Sequence, residues 1–199
     1  MAVSAVDVAL WDLKARLMNV PLGAILPRFR SAVPIYGSGG FTNYPRDRLA
    51  DQLAGWAEQG ISRVKLKTSR RPQEDPGRLS TARKAVGDGV ELYADANGAL
   101  SRKQALYWAN RFAEEWGVCW FEEPVSSADL HGLRLLRDRG PGGMDIAAGE
   151  YGYVLRDFAN LLEAGAVDCL QADVTRCGGI TGWLQVAGLA SGLQTDLSA

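Results

Sequence analysis

Carboxylates recur along this chain within short apolar segments, and their spacing could build a metal site. Asp95 lies in ELYADAN, Glu122 in CWFEEP and Glu150 in DIAAGE. These acids offer hard oxygen ligands without His or Cys, a set that suits Mg²⁺ with water or substrate oxygens in its remaining positions. Any single one of them could instead be a helix cap or a surface ion pair. Three at the ends of successive segments favour the metal site.

Two lysines stand two positions apart in the segment SRVKLKT. On a β-strand, Lys65 and Lys67 point to one face, while Val64 and Leu66 point to the other. If the two apolar side chains pack against helices, both ammonium groups point toward the carboxylates. Because a buried ammonium group is costly unless it is paired, the two lysines are expected to form ion pairs with these carboxylates. The alternative is an edge strand with solvated lysines.

Other polar residues near these segments are candidates for binding substrate. Asn97 shares a strand face with Asp95, so it either binds a substrate oxygen or caps the following turn. Ser38, near the end of the first apolar segment VPIYGSG, is the second candidate. Asp173 ends the sixth segment, but the chain's single histidine, His131, is not near it in sequence and is predicted to be a surface residue. Without a histidine partner, no Ser or Cys nucleophile is predicted.

The elements that position these residues alternate regularly. Strand candidates begin 24 to 29 residues apart, at 33–39, 62–68, 91–97, 119–124, 145–150 and 169–174, with a seventh from Gln194. Helical patterns fill the gaps, at 46–59, 74–86, 101–115, 127–138, 153–163 and 180–192. This alternation predicts a parallel sheet, because parallel neighbours need a crossover of a dozen or more residues.

Two architectures could satisfy the alternation, a doubly wound sheet and a TIM-type barrel. The segment GSGGFT at 37–42 lacks the third glycine of a dinucleotide-binding turn, so a nucleotide-binding α/β protein is the weaker hypothesis. Acids at the carboxyl ends of different strands favour the barrel, where such side chains converge. A barrel needs eight strands and the chain supplies seven at most. The predicted fold is therefore an incomplete (β/α) barrel over 31–199, with about six to seven parallel strands and outer helices, after a helix and linker over 1–30.

Net charge, apolar runs and cysteine count argue against three classes of protein: nucleic-acid-binding, membrane-spanning and disulfide-rich. The 199 residues carry a net charge of −1, which gives no basic footprint for nucleic acid. No apolar run approaches the roughly 20 residues needed to cross a bilayer. Three cysteines are too few for a disulfide framework and favour the cytoplasm. The first helix is amphipathic, and its large apolar residues share one face: Val3, Val6, Leu10, Leu13 and Leu17.

Taken in order, the segments AVDVALWDLKAR, VKLK, YADANG, WFEEP, AAGE and QADVTRCGGIT resemble the mandelate racemase / muconate lactonizing enzyme subgroup of the enolase superfamily. The resemblance runs over essentially the whole chain. Enzymes of this family join a capping domain to a modified barrel and abstract the proton α to a carboxylate. They stabilise the resulting enediolate with Mg²⁺.

The resemblance implies a role for each motif residue. Lys67 would be the base on one face of the substrate, and Lys65 would assist it through like-charge repulsion. The ligands of one Mg²⁺ would be Asp95, Glu122 and Glu150. Asp173 would be the acid of an Asp–His dyad that acts on the opposite face.

Two departures from the family pattern shape the functional expectation. The dyad histidine would follow Ala199, and the capping domain that selects the substrate is absent, so the chain is expected to be a fragment. The expected reaction is dehydration of a sugar acid, with racemisation and cycloisomerisation as alternatives. An inactive barrel fragment is the competing hypothesis. The parent enzyme is expected to be a homo-oligomer acting on a small carboxylate, with no nucleic acid or membrane partner.

Overall fold

The computed structural model describes residues 1–28 and 30–199; residue 29, inside the predicted linker, lies outside the described part. Seven strands are present: β1 (Gly37–Gly39), β2 (Arg63–Lys67), β3 (Glu91–Asp95), β4 (Val118–Glu122), β5 (Asp145–Ala148), β6 (Cys169–Gln171) and β7 (Asp196–Ser198). The helices are α1 (Ala2–Leu17), α2 (Leu22–Ile25), α3 (Arg46–Glu58), α4 (Asp75–Val86), α5 (Arg102–Trp116), α6 (Leu130–Arg139), α7 (Leu155–Glu163) and α8 (Gly179–Gly192), and a 3₁₀ turn covers Pro72–Glu74.

The strands follow one another in the sheet in chain order, from β1 to β7. The pairings of β1 with β2, β2 with β3, β3 with β4, β4 with β5 and β6 with β7 are all parallel. Because the order never reverses, the doubly wound alternative is wrong. The architecture is an incomplete TIM-type (β/α) barrel, as predicted. Within the described ranges, no helix is both long and apolar enough to cross a bilayer.

The contacts divide the chain into two compact units. The β2 unit comprises Ile35–Ala148 and Ala164–Asp168, and the α1 unit comprises Met1–Pro34, Gly149–Glu163 and Cys169–Ala199. The lysines and the acids Asp95 and Glu122 belong to the β2 unit. Glu150 and Asp173 belong to the α1 unit.

The core of the β2 unit lies between its strands and its helices. Val64 and Leu66 of β2 are fully buried, which leaves the opposite face of the strand for the lysines. Helix α5 begins at a capping box formed by Ser101 and Gln104. Its buried face places Phe112 against Phe121 of β4, with ring centroids 5.4 Å apart. Helix packing of this kind fixes the strand face that carries the charged side chains.

In the α1 unit, α1 contacts α8 through its polar side chains. Asp7 Oδ1 accepts a hydrogen bond from the Thr181 backbone N–H at 3.0 Å, and Trp11 Nε1 donates to Thr181 Oγ1 at 2.9 Å. Ser4 Oγ accepts from the Gly178 N–H at 3.1 Å. The apolar face predicted for this helix points elsewhere, since its five members are 50% to 79% exposed: Val3, Val6, Leu10, Leu13 and Leu17.

Several elements are shorter than predicted. The first strand covers only Gly37–Gly39 of the expected 33–39, and the sixth ends at Gln171 rather than at 174. Helix α6 begins at Leu130, not at 127, because the Asp129 side chain accepts from the Gly132 N–H and caps it. Apolar periodicity locates an element but not its last residue.

Candidate active site

Three charged residues stand side by side across three neighbouring strands. The β2–β3 register places Lys67 opposite Asp95, and the β3–β4 register places Asp95 opposite Glu122. Each is the last residue of its strand. We call this set the charged row. It lies at the carboxyl edge of the sheet, where (β/α) barrels carry their active sites.

Hydrogen bonds tie both lysines to the acids of the charged row. Lys67 Nζ donates to Asp95 Oδ2, and Lys65 Nζ donates to Glu122 Oε2. Lys65 Nζ also lies 3.6 Å from Asp95 Oδ2. The side chains of Asp95 and Glu122 are fully buried, while those of Lys65 and Lys67 are 6% and 20% exposed. The edge-strand alternative is wrong, because β2 is paired on both sides.

The electrostatics of the buried pair favour a bound cation. Burial, together with the negative charge of Asp95, raises the pKa of Glu122 to about 7, against the opposing effect of the Lys65 ammonium. Burial is the largest single effect on Lys65 and would lower its pKa, but Glu122, Tyr36 and Asp95 together outweigh it, so the pKa lies above its usual value. Two carboxylates this deeply buried require positive charge beside them.

One carboxylate oxygen of the charged row has no hydrogen-bond partner in the described part of the chain. Glu122 Oε1 is buried and accepts no hydrogen bond from any described residue. A buried carboxylate oxygen without a donor, beside a second carboxylate, is the ligand chemistry that Mg²⁺ prefers. The residues of the charged row therefore fit a Mg²⁺ ion.

Aromatic side chains line the same strand face one layer below. The rings of Tyr93 and Trp120 stack with centroids 5.1 Å apart, and Tyr36 tilts against Tyr93 at 5.7 Å. Lys65 Nζ lies 5.2 Å from the centroid of the Tyr36 ring. Tyr36 was not among the predicted site residues, although its position two residues before Ser38 puts both residues on one face of the segment.

The two candidate substrate-binding residues lie near the charged row in different ways. Ser38 is in register with Lys65 and is exposed. Asn97 has a φ of +45° and its backbone N–H donates to Asp95 Oδ1 at 2.9 Å. This turn holds the Asp95 carboxylate in place. Contact of either side chain with a substrate stays a prediction.

Glu150 and Asp173 are placed within the α1 unit. The Glu150 carbonyl oxygen accepts from Arg176 Nη1 at 3.2 Å. Asp173 Oδ1 accepts from the backbone N–H and the hydroxyl of Thr175, at 2.8 and 2.7 Å, and its Oδ2 lies 3.4 Å from Arg176 Nε. Arg176 thus connects the loop that follows β5 with the loop that follows β6.

Glu150 lies beyond the end of its strand, whereas Asp95 and Glu122 each end theirs. Ala147 of β5 lies opposite Glu122, and Glu150 follows two residues after the strand ends. Gly149 makes the turn between them with a φ of +133°. No group of three or more His, Cys, Asp and Glu residues is close enough to hold a metal ion within the described ranges.

The remaining candidate nucleophiles and bases are not arranged for catalysis. His131 is exposed on α6, as predicted. Cys177 is buried, and burial raises the pKa of its thiol, so the thiolate is disfavoured. The chemistry of the described site is therefore that of lysines and carboxylates.

Comparisons with known proteins show the family to which the chain belongs. Residues 48–199 match the family model described as "Enolase C-terminal domain-like". L-talarate/galactarate dehydratase of Salmonella typhimurium is 34% identical over 194 residues, which is 96% of this chain and 48% of that protein. Other matched relatives are named as further sugar-acid dehydratases, cycloisomerases and an epimerase.

Solved structures give the same result. A mandelate racemase/muconate lactonizing enzyme-like protein from Rubrobacter xylanophilus matches with a TM-score of 0.96 and 63% identity, covering 100% of this chain and 55% of that one. L-talarate dehydratase from Polaromonas sp., solved with Mg and L-glucarate, matches with a TM-score of 0.87 and 35% identity over 98% of this chain and 55% of that one. The chain spans about half the length of the named relatives it matches. It belongs to the enolase C-terminal domain-like family, among the mandelate racemase/muconate lactonizing enzymes of the enolase superfamily.

Proposed function

We propose that the protein to which this chain belongs abstracts the proton α to the carboxylate of a sugar acid in a Mg²⁺-dependent reaction. The observation that carries the proposal is the charged row, in which a partly exposed lysine contacts a buried carboxylate beside a second one. An α-proton next to a carboxylate is very weakly acidic. A positioned base and preorganised positive charge are therefore both needed.

Lys67 is the proposed base, because its side chain is the more exposed of the two lysines and ends its strand at the carboxyl edge. Lys65 lies deeper, between Glu122 and the Tyr36 ring, and holds positive charge beneath the reacting carboxylate. The aromatic layer of Tyr36, Tyr93 and Trp120 keeps water away from that side of the site.

Asp95, Glu122 and Glu150 are the proposed ligands of one Mg²⁺ per site. The bound ion would supply charge that stabilises the substrate's carboxylate oxygens as the proton leaves. The structural support for this metal site is the neighbouring pair Asp95 and Glu122, in which Glu122 Oε1 has no hydrogen-bond partner among the described residues. The contribution of Glu150 and the contacts of Asn97 and Ser38 with substrate are proposals that follow from the family motifs.

Asp173 is the proposed acid of an Asp–His dyad that works on the opposite substrate face. It would orient a histidine, but the 199 residues contain only His131. In dehydration the dyad would protonate the departing hydroxyl group. We favour dehydration, in keeping with the names of relatives such as L-talarate/galactarate dehydratase. The cytoplasmic location and a homo-oligomeric parent stay predictions.

The test is deuterium exchange at the α-carbon, followed by NMR in D₂O with Mg²⁺. The panel contains galactarate, L-talarate and D-gluconate, and the variants are Lys67→Ala and the exposed α4 control Lys84→Ala. We expect exchange in wild type and in Lys84→Ala, and we expect Lys67→Ala to abolish it. Mg²⁺ binding without any exchange would favour the competing hypothesis of a barrel fragment without activity.

Cycloisomerisation is the second candidate, because two matched relatives are named 3,6-anhydro-alpha-L-galactonate cycloisomerase and D-galactarolactone cycloisomerase. Both reactions can begin with the same proton abstraction by Lys67. They differ in the product, since dehydration releases water and cycloisomerisation conserves the substrate's mass. Mass spectrometry of the product therefore separates them.

A further inference from the structure

A cavity of about 160 Å³ lies in the β2 unit, among loops that follow β1 and β2. It is lined by residues 42–43, 70–71 and 74–75, together with Arg78 from the first turns of α4. None of the proposed catalytic residues or metal ligands lines the cavity. It is therefore a separate feature of the carboxyl edge.

Arginines dominate the charge of this cavity. Arg70, Arg71 and Arg78 line it with only two acids, Glu74 and Asp75. Each acid already faces a cation: Arg71 Nη1 lies 3.2 Å from Glu74 Oε1, and the charge of Arg78 acts on Asp75. Arg70 enters no ion pair with any residue that the structure describes. The lining thus has one guanidinium charge in excess.

Arg78 gives the cavity a buried, fixed wall. It is only 5% exposed, and its Nη2 donates to the carbonyl oxygens of Gly40 and Phe41 at 2.7 and 3.1 Å. Its Nε is buried without a hydrogen-bond partner in residues 1–28 and 30–199. An unpaired buried donor on a guanidinium is costly unless an acceptor from outside the protein, such as an anion or a water, satisfies it.

The loop between β2 and the cavity is held in one conformation. Ser69 has a φ of +67°, which is uncommon for a residue with a side chain. Its N–H donates to Asp75 Oδ2 at 2.8 Å, and both residues are buried. The backbone of the next two residues, Arg70 and Arg71, is thereby held at the cavity before a ligand binds, so that only their side chains need to be ordered on binding.

We propose that this cavity binds a compact oxyanion, a carboxylate or a phosphate group, with Arg70 as the main charged contact. A guanidinium matches the planar or tetrahedral oxygens of such groups through paired N–H donors. The volume admits one such group with a few attached atoms. The site does not depend on the proposed function, because it involves none of the residues of the charged row.

The primary test is calorimetric titration of the 199-residue chain with inorganic phosphate at pH 7.5 and fixed ionic strength. Arg70→Gln is expected to raise the Kd by about tenfold, the loss of one charge-assisted contact. Arg139→Gln, which removes the same charge from the exposed end of α6, should leave the Kd within about twofold. Glu74→Gln should tighten binding, because it removes a carboxylate from the lining.

A second arm distinguishes the sources of the oxyanion. Galactarate has two carboxylates and D-gluconate has one. If Arg70→Gln weakens galactarate binding but not gluconate binding, the cavity takes the distal carboxylate of a diacid. If Arg70→Gln affects phosphate alone, the ligand is a free or esterified phosphate. Two results would overturn the proposal. One is that wild type, Arg70→Gln and Arg139→Gln bind all three anions equally strongly. The other is that the folded protein binds none of them.

Discussion

The Lys67 ammonium donates to the Asp95 carboxylate from the directly opposite position on the neighbouring strand. Asp95 is fully buried and Lys67 is partly exposed, so the carboxylate of this pair is shielded from solvent while the ammonium group can be reached from it. Glu122 extends the same row by one strand, and Lys65 contacts both acids from the layer below. Removing one charge from this set should therefore have a large effect.

Lys65→Met is expected to lower the free energy of unfolding by about 3 kcal/mol at pH 7.5, because it leaves two buried carboxylates with one fewer cation. Urea denaturation measures the change. Lys84→Met, an exposed control, should change the value by less than about 0.5 kcal/mol. A Lys65→Met protein as stable as wild type would show that the buried acids do not need that ammonium group.

Asp75 should make stability depend on pH in the mildly acidic range. Burial raises the pKa of its carboxyl to about 6 from an ordinary 3.8, against the opposing hydrogen bond from Ser69 and charge of Arg78. The folded state therefore binds the proton more tightly than the unfolded state. The stabilisation is fully present below about pH 4 and is lost as the pH rises through about 6.

Asp75→Asn keeps an acceptor for the Ser69 N–H but does not titrate. Chemical denaturation at pH 4, 5, 6 and 7 measures the unfolding free energy of wild type and variant. As the pH rises from 4 to 7, wild type should lose stability relative to Asp75→Asn. Parallel curves for the two proteins would contradict the raised pKa. Asp88→Asn, the same change at an exposed acid after α4, is the matched control.

Gly149→Ala is expected to destabilise the loop that carries Glu150. The residue has a φ of +133°, and a Cβ there would collide with the Gln171 carbonyl oxygen. The cost should be at least about 2 kcal/mol in thermal or urea unfolding. Gly142→Ala has open space around its Cβ position and should cost far less. Equal costs for both variants would contradict the close approach.

Asp7→Ala should loosen α1 from α8. Its carboxylate accepts from the Thr181 N–H near the first turn of α8, where the helix has N–H groups without internal partners. Loss of such a cap costs about 1 kcal/mol. Hydrogen exchange at residues 179–182 should accelerate, whereas Asp12→Ala, which breaks an exposed pair with Arg16, should leave it unchanged.

The sequence was sufficient to predict the strand order and the charged row. Regular alternation fixed the parallel connections, and the two-residue spacing of Lys65 and Lys67 fixed their common face. The predicted burial of Val64 and Leu66 on the other face is confirmed. These features follow from local periodicity, which a sequence displays directly.

Other features depend on contacts that periodicity does not encode. The apolar face of α1 was found from Leu10 and its neighbours, but the helix meets α8 through Asp7 and Trp11. Glu150 was expected in register with Glu122, but β5 ends at Ala148 and Gly149 turns the chain. Strand ends depend on pairing and on turns, so they cannot be located by counting apolar residues.

The Mg²⁺ dependence of the melting temperature tests the central claim most directly. A ligand that binds only the folded state raises its stability with concentration. Millimolar Mg²⁺ is expected to raise the melting temperature of wild type and of Glu114→Gln, a control at an exposed acid of α5, and Glu122→Gln should abolish the rise. A rise of the same size in Glu122→Gln, or none in folded wild type, would contradict a cation site built on the carboxylates beside Lys67.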